Sequence, residues 1–384
     1  MPKPFELPWA ELPHHALPLG EGRWRAPAPG TSAVTAQLQE LGIHWIGELA
    51  DGSGHYQVHK LADDATVLSQ EGHPDDPAYR PYWIAARIAV AREACRHQPA
   101  PPQFFGILNL TPDSFSDGGQ FGGGTMGPLY HAQVLRAEGI DILDLGAEST
   151  RPGAARISDE EQLQRLLPVI EALQPLDIPL SIDTRSAKVA ERCLAVGASY
   201  INDVSGLGDA AMAPLLAAQD AQAVLMHMRG TPATMQQQTH YRHLLGEIVD
   251  EMMVMVHRGL AAGMHPDRMI LDPGIGFAKD AVQSRLLIQH FGAFRALGLP
   301  LLSGPSRKSF LGDLLPGLAA EQRDGGTIGA AALCAAQGAE YLRLHRGHKA
   351  VDACKVAAAC AYPQPQNGNG APSQSSSAQE ARQS

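Results

Sequence analysis

The chain has no Cys-x-x-Cys pair, no long apolar run and no block of like charge, and each gap closes off a class of protein. Its five cysteines, Cys95, Cys193, Cys334, Cys354 and Cys360, are odd in number and scattered, which fits a reduced, cytoplasmic compartment better than a disulfide-built secreted domain. The N-terminus "MPKPFELPWAELPHH" lacks the basic-then-apolar order of an export signal, and no stretch approaches membrane-spanning length, so a soluble protein without a membrane partner is expected. Net charge is −10 with acids and bases interspersed. Without a basic stripe, nucleic acid is not an expected partner, although a local Arg/Lys cluster could still take a small anion.

What is present is a chain of 384 residues, 44% hydrophobic, enough to bury one large core with an appendage. The polar, proline-rich "RHQPAPPQ" from Arg96 to Gln103 reads as a linker. Residues 1–102 before it form an extension of unassigned function. A helix is expected near Thr35–Leu41, a hairpin around Asp51-Gly52-Ser53-Gly54 and a second helix over Tyr82–Cys95. Residues 363–384 are low-complexity and nearly free of apolar side chains, so a disordered tail is expected.

Residues 103–362 repeat one pattern. Apolar strand-like runs occur at Phe104–Leu110, Ile142–Gly146, Leu180–Asp183, Tyr200–Val204, Ala223–Met228, Met269–Asp272, Pro300–Ser303 and Glu340–His345. Each precedes a segment of helical spacing: Leu129–Glu138, Asp159–Leu173, Ala187–Val196, Ala211–Gln219, Leu244–Ala262, Val282–Leu297, Gly326–Gln337 and Lys349–Ala359. Such alternation requires a parallel sheet, and eight units over about 250 residues suit a closed (β/α)8 TIM barrel. A doubly wound open sheet is the alternative on alternation alone.

A barrel should gather its chemistry at the C-terminal ends of its strands. The strands end in or run into Asn109, the stretch Glu148-Ser149-Thr150-Arg151, Asp183, Asn202-Asp203, His227, Asp272, Ser306-Arg307-Lys308-Ser309, and Arg343 with His345. Any one of these is an ordinary loop residue; their recurrence at strand after strand is not ordinary. Asp183, Asn202, Asp272 and Lys308 suit a flat heterocycle with an N–H/NH2 edge, which a carboxylate meets with paired hydrogen bonds. Asn109, Arg151, Arg343 and His345 suit an anion such as phosphate or pyrophosphate. The first strand runs into "NLTPDSFSDGGQFGGG", a glycine-rich loop with carboxylates, hydroxyls and a lone Phe115, which reads as a lid that costs entropy to order.

The motifs "GILNLTPDSFSDGG", "DLGAESTRPGA", "SIDT", "INDVSG", "LMHMRG", "ILDPGIGFAK", "SGPSRKSFLG" and "LRLH" follow in this order, and from Phe105 to about Ala359 the chain resembles the dihydropteroate synthases. The resemblance implies a transferase that joins 6-hydroxymethyl-7,8-dihydropterin pyrophosphate to 4-aminobenzoate and releases pyrophosphate, in folate biosynthesis, with sulfonamides competing for the aminobenzoate site. By position it implies that Asp183, Asn202, Asp272 and Lys308 hold the pterin, with Met226 against its face. It implies Mg2+ on Asn109, joined by Asp117 when the first loop closes, and pyrophosphate on Arg151, Arg343 and His345. Thr150, Pro152, Phe115, Lys308 and Ser309 would shape the aminobenzoate pocket. Family members are often homodimers.

Two departures stand out: Arg346 follows His345 where Asp is usual, and Ala147 stands where a second Gly is common. A pterin-dependent methyltransferase would need the ring-binding Asp and Asn residues but not "TPDSFSDGG" or "STRPGA". A non-catalytic pterin-binding paralogue would not need the anion ligands. His240/His243 and His345/His348 have His-x-x-His spacing without a clearly spaced third ligand, so zinc is not expected. The Gly-x-Gly of "DPGIGFAK" lacks a full phosphate-loop pattern and reads as a strand-to-helix turn. No residue before Gln103 fills any of these roles, so the extension is expected to be dispensable for the chemistry.

Overall fold

The computed structural model describes residues 3, 5, 15–21, 23–58, 68, 75–110, 125–149, 153 and 156–362. The N-terminal unit contains β1 (Leu17–Gly20), β2 (Arg23–Ala26), α1 (Ser32–Glu40), β3 (Ile43–Glu48), β4 (Gly54–Val58) and α2 (Arg80–Arg96). Its strands form an antiparallel sheet in the order β1-β2-β4-β3. Tyr56, Trp24, Leu38 and Ile43 meet Trp83, Ile84 and Ile88 of α2 in a core of their own. That core also takes in Ala296 of the barrel, so the unit lies against the barrel wall. The foreseen hairpin is β3–β4 and the two foreseen helices are α1 and α2; β1 and β2 were not foreseen.

Beyond α2 the chain alternates. In order come β5 (Gln103–Asn109), α3 (Met126–Ala137), β6 (Ile142–Gly146), α4 (Asp159–Leu173), β7 (Leu180–Asp183), α5 (Ala187–Leu194), β8 (Tyr200–Asp203) and α6 (Met212–Gln219). Then follow β9 (Gln222–Met226), α7 (Leu244–Ala261), β10 (Met269–Asp272), α8 (Ala281–Gln289), β11 (Leu302–Ser303), α9 (Ser309–Leu314), α10 (Asp324–Ala336), β12 (Tyr341–Leu344) and α11 (His348–Ala361). The strands of this second sheet pair in parallel in the order β10-β9-β8-β7-β6-β5-β12-β11. A parallel bridge between Leu271 and Leu301, with the Leu271 amide donating to Pro300 O at 2.8 Å, joins the two ends. The sheet is a closed (β/α)8 barrel.

Two local differences from the sequence pattern have physical causes. The segment expected as one helix over Val282–Leu297 is α8 followed by a 3-10 stretch, Phe291–Leu297. The Gln337 side chain, just beyond α10, accepts from the Gly292 amide at 3.1 Å, taking a donor that a continuous helix needs. The short α9 had too few residues to show a helical period.

Period-two alternation along the strands divides the barrel interior into levels. Phe105, Ile142, Val224, Ile270 and Leu302 form an apolar layer with Tyr200 and Tyr341 packed on it. The Phe105 ring sits edge-on to Tyr200 at 5.6 Å and to Tyr341 at 5.7 Å. Two residues further along the same strands, toward their C-terminal ends, come Asp144, Asn202, Met226, Asp272 and Arg343. The apolar layer seals the barrel, and the next inward level is where polar groups collect.

Candidate functional site

A pocket at the C-terminal ends of the strands is lined by Asp183, Asn202, Val204, Met226, Asp272, Ile275, Phe277, Gly304, Lys308 and Arg343. All four residues expected to bind a heterocycle meet here, together with Met226. Arg343, expected at the anion end, meets them too. Its Nε donates to Asp144 Oδ2 at 2.6 Å and its Nη2 to Asp183 Oδ2 at 2.8 Å. Asn202 Nδ2 donates to the same Asp144 oxygen at 3.2 Å. Asp144 has no exposed surface, and its Oδ1 finds no hydrogen-bond partner among the described residues. Sequence reasoning passed over Asp144, although a lone acid inside the apolar strand "ILDLG" was a usable signal.

Burial governs the ionisation of this pocket. It pushes the Asp183 carboxyl up, to about 7, with the Asp144 charge adding to it and Arg343 and Lys308 opposing. Asp272 is raised as well, chiefly by burial, against the stabilising Gly274 amide, which donates to Oδ1 at 2.7 Å. Burial lowers Lys308 to about 8, helped by the Arg343 charge. The Lys308 ammonium lies 3.9 Å from the centroid of the Phe277 ring, a cation–π contact in a dry site. Phe277 was missed because "DPGIGFAK" reads as a turn, and it is one. Gly274 has φ of +69°, and a Cβ there would come 2.1 Å from the His227 carbonyl oxygen, so only glycine fits.

Below that turn lies a second polar chain. Glu251 Oε2 bonds His227 Nε2 at 2.8 Å, and Lys279 Nζ lies 2.9 Å from His227 Nδ1 and donates to Phe277 O at 2.8 Å. Burial, and then the Lys279 charge, depress His227 to about 4. A neutral ring that donates from Nε2 to Glu251 leaves Nδ1 to accept from Lys279. Burial also brings Lys279 down to about 7.

The remaining expected residues are placed as follows. Asn109 ends β5, with its Oδ1 beside Gly146 of the neighbouring strand. His345 follows β12, where its Nδ1 lies 2.9 Å from Ser306 Oγ. Ser309 opens α9 directly after Lys308. Phe115, Asp117, Thr150, Arg151 and Pro152 lie outside the described residues, as does the 363–384 tail. Arg346, the departure after His345, forms an ion pair with Glu138 at the end of α3, and the Gly347 amide donates to the same carboxylate at 2.8 Å. Its charge is answered there. His243 caps α7, its Nδ1 accepting from Gly246 N at 3.0 Å, and no cluster of three potential metal ligands occurs among the described residues.

The ion pairs at Asp144 generate a stability prediction. Arg343→Met would strand a fully buried carboxylate, and breaking such a pair typically costs about 3 kcal/mol. Urea unfolding of the two proteins checks this; a loss under about 1 kcal/mol would mean that Arg343 does not compensate Asp144.

Comparison with known proteins agrees with this geometry. The model of the pterin binding enzyme family matches residues 105–345, starting beyond the N-terminal unit. A dihydropteroate synthase of Synechocystis sp. is 44% identical over 66% of this chain and 88% of its own length. The Yersinia pestis dihydropteroate synthase, solved as a sulfonamide drug complex, superposes with a TM-score of 0.64 at 39% identity, over 68% of this chain and 94% of that one. The Xanthomonas albilineans dihydropteroate synthase, solved with 4-aminobenzoic acid, gives 0.63 at 38% identity, over 66% and 91%. With its closed barrel, its polar pocket at the strand ends and relatives of this identity, the chain belongs to the dihydropteroate synthases of the pterin binding enzyme family.

Proposed function

We propose that the barrel mouth condenses 6-hydroxymethyl-7,8-dihydropterin pyrophosphate with 4-aminobenzoate, giving 7,8-dihydropteroate and pyrophosphate. The observation that carries this reading is the convergence of Asp183, Asn202, Asp272 and Lys308 with Met226 and Phe277 in one pocket. Carboxylates and an amide match the N–H/NH2 edge of a pterin, and the two apolar side chains flank a flat ring. The solved Xanthomonas relative with 4-aminobenzoic acid supports the second substrate.

The reaction breaks the C–O bond between the pterin methylene and pyrophosphate, and the bonding pair leaves with the pyrophosphate oxygen. The aromatic amine nitrogen forms the new C–N bond and then releases one proton. Because that amine is a modest nucleophile, the barrier falls mainly when the leaving anion is stabilised and water is kept away from the developing cation. Arg343, His345 and Arg151 bind the anion. A guanidinium has five donors, and Arg343 gives two to carboxylates here, which keeps its plane fixed while others meet a ligand. Thr150, Pro152, Phe115, Lys308 and Ser309 enclose the aminobenzoate.

Mg2+ is commonly bound through one or two carboxylates together with substrate phosphates, and here Asn109, at the end of its strand, and Asp117, eight residues further along the chain, would hold it. The ion would neutralise charge on the departing pyrophosphate. The five cysteines are all free thiols, which supports a reducing cytoplasm. No helix among the described residues is long and apolar enough to cross a membrane. Exposed Val282 and Leu286 on α8, Leu314 on α9, Leu318 just beyond it and Leu333 on α10 support a homodimer through adjoining barrel helices. Sedimentation of the wild type against Leu286→Glu/Leu333→Glu tests that: the wild type should run as a dimer and the variant as a monomer, while a monomeric wild type removes the reading.

Two further outcomes test the chemistry. Asp183 accepts from the ring as a carboxylate but sits near pH 7 in the free enzyme. Its raised pKa means the enzyme must shed a proton to bind at lower pH. Pterin affinity should therefore climb with pH and level off above about 7, falling about tenfold per unit below it. Asp183→Asn should abolish that slope and weaken binding by about 10- to 100-fold. Calorimetry across pH 5–8 reads both, on the order of ten titrations, and an unchanged affinity would remove Asp183 from the site. Asp117→Ala should leave binding of the pterin alone nearly intact yet lower turnover by about 100-fold, the scale of lost positioning. Near-normal turnover would defeat the lid reading of the first loop.

A further inference from the structure

Arg25 is the most deeply buried cation of the N-terminal unit, with no exposed surface. It reaches out of its own sheet into the barrel wall. Its Nη2 donates to Asp250 Oδ2 at 2.5 Å, its Nε to Asp51 Oδ2 at 3.0 Å and its Nη1 to His15 O at 3.1 Å. The His15 amide donates to Asp250 Oδ1 at 2.9 Å, so Asp250 is gripped by two segments of the extension. Arg87 of α2 holds the His15 ring in turn, with Nη1 3.0 Å from Nδ1. The barrel accommodates this guanidinium in a notch. A Cβ on Gly246 would lie 2.3 Å from Arg25 Nε, so α7 keeps a glycine inside a helix where alanine would otherwise be favoured.

Asp250 and Glu251 are neighbours on α7 and therefore project about 100° apart around the helix. Asp250 faces the extension, whereas Glu251 faces the strand ends and holds His227 at 2.8 Å and Arg229 Nε at 2.9 Å. Glu247, one turn earlier, takes Arg229 Nη2 at 2.8 Å. From His227 the chain of contacts passes to Lys279 and on to the Phe277 carbonyl. Phe277 is the pocket wall against which Lys308 rests. Two polar clusters, one running from Arg25 to Asp250 and the other from Glu251 through His227 and Lys279 to the Phe277 carbonyl, are thus joined by the backbone of one helix.

We propose that the N-terminal unit braces the pterin pocket through α7, with Arg25 and Lys279 as positioning residues at the two ends of the brace. The proposal rests on the pocket being the pterin site. Neither residue lines the pocket, so their effect falls on how firmly the pocket is formed and not on the bond-making groups. The extension is then part of the working enzyme, against the expectation that chemistry can proceed without it.

The test is steady-state kinetics on full-length variants. Arg25→Met and Lys279→Met should each raise the KM for the pterin pyrophosphate about tenfold, with a much smaller change for 4-aminobenzoate. Arg25→Lys, which keeps a charge on Asp250, should recover part of the loss. Because both residues act along one chain, the double variant should be little worse than either single one. Tyr56→Phe removes the 2.6 Å bond from its hydroxyl to Pro27 O inside the extension; it should lower thermal stability and leave both KM values unchanged. If Arg25→Met does not fold, Asp250→Asn reads the same link with a smaller disturbance. A folded Arg25 or Asp250 variant with a wild-type pterin KM overturns the brace, as do multiplicative effects in the double variant. A wild-type chain that makes no dihydropteroate overturns the site reading instead, and the brace with it, whereas Asp183→Asn losing pterin affinity beside an unaffected Arg25→Met sinks the brace alone.

Discussion

Asp144 constrains everything at the mouth of the barrel. A carboxylate with no exposed surface must be answered by charge or give up its own, and Arg343 and Asn202 answer it from strands on either side. That places the Arg343 guanidinium across the barrel axis, where it also meets Asp183. Once its plane is fixed, Asp183 and Lys308 face one another's fields in a dry pocket. Burial, against that mutual attraction, pulls both toward neutrality, the carboxyl upward and the ammonium downward. The aromatic layer of Phe105, Tyr200 and Tyr341 beneath keeps water from entering from the other end. One buried charge and one apolar floor together define the polarity of the site.

The same logic recurs one shell further out. His227 and Lys279 are both fully enclosed and both displaced toward their neutral forms by burial. Glu251 is held ionised because His227 and Arg229 outweigh the burial that opposes its charge, and it falls to about 2. Ionic groups in such a chain stabilise less than an apolar core would, yet they admit few alternative arrangements. In a pocket that must present fixed donors and acceptors to a flat ring, a fixed arrangement is the useful property. The N-terminal unit repeats the pattern at Arg25, Asp51 and Asp250, which join it to the barrel by charge beside the apolar contact at Ala296.

Much of this was legible before the fold was seen. Eight apolar runs alternating with helical spacing require parallel strands, and a barrel gathers residues at their C-terminal ends, Asp183, Asn202, Asp272 and Arg343 among them. Those four do share a pocket. The partition into a ring-binding set and an anion-binding set was too sharp, because Arg343 touches both Asp183 and Asp144. Nothing local in "LRLH" could show that, since the partners lie 199 and 160 residues away in the chain. Phe277 and Lys279 were hidden inside a turn motif for a related reason: a turn announces its backbone, not the side chains it delivers.

Periodicity and motif order, properties of the chain alone, carried the eightfold alternation, the face on which chemistry collects and the family resemblance that favoured a barrel over an open sheet. The tertiary structure decided which charges meet. Arg346 turned to Glu138, Arg343 to two carboxylates, and Arg25 to a glycine notch on a barrel helix. It decided the ionisation of Asp183 and Lys308 as well, since burial exists only after the strands have closed around them. The physical reason is range: hydrophobic period acts between neighbours in sequence, whereas desolvation and ion pairing act between neighbours in space.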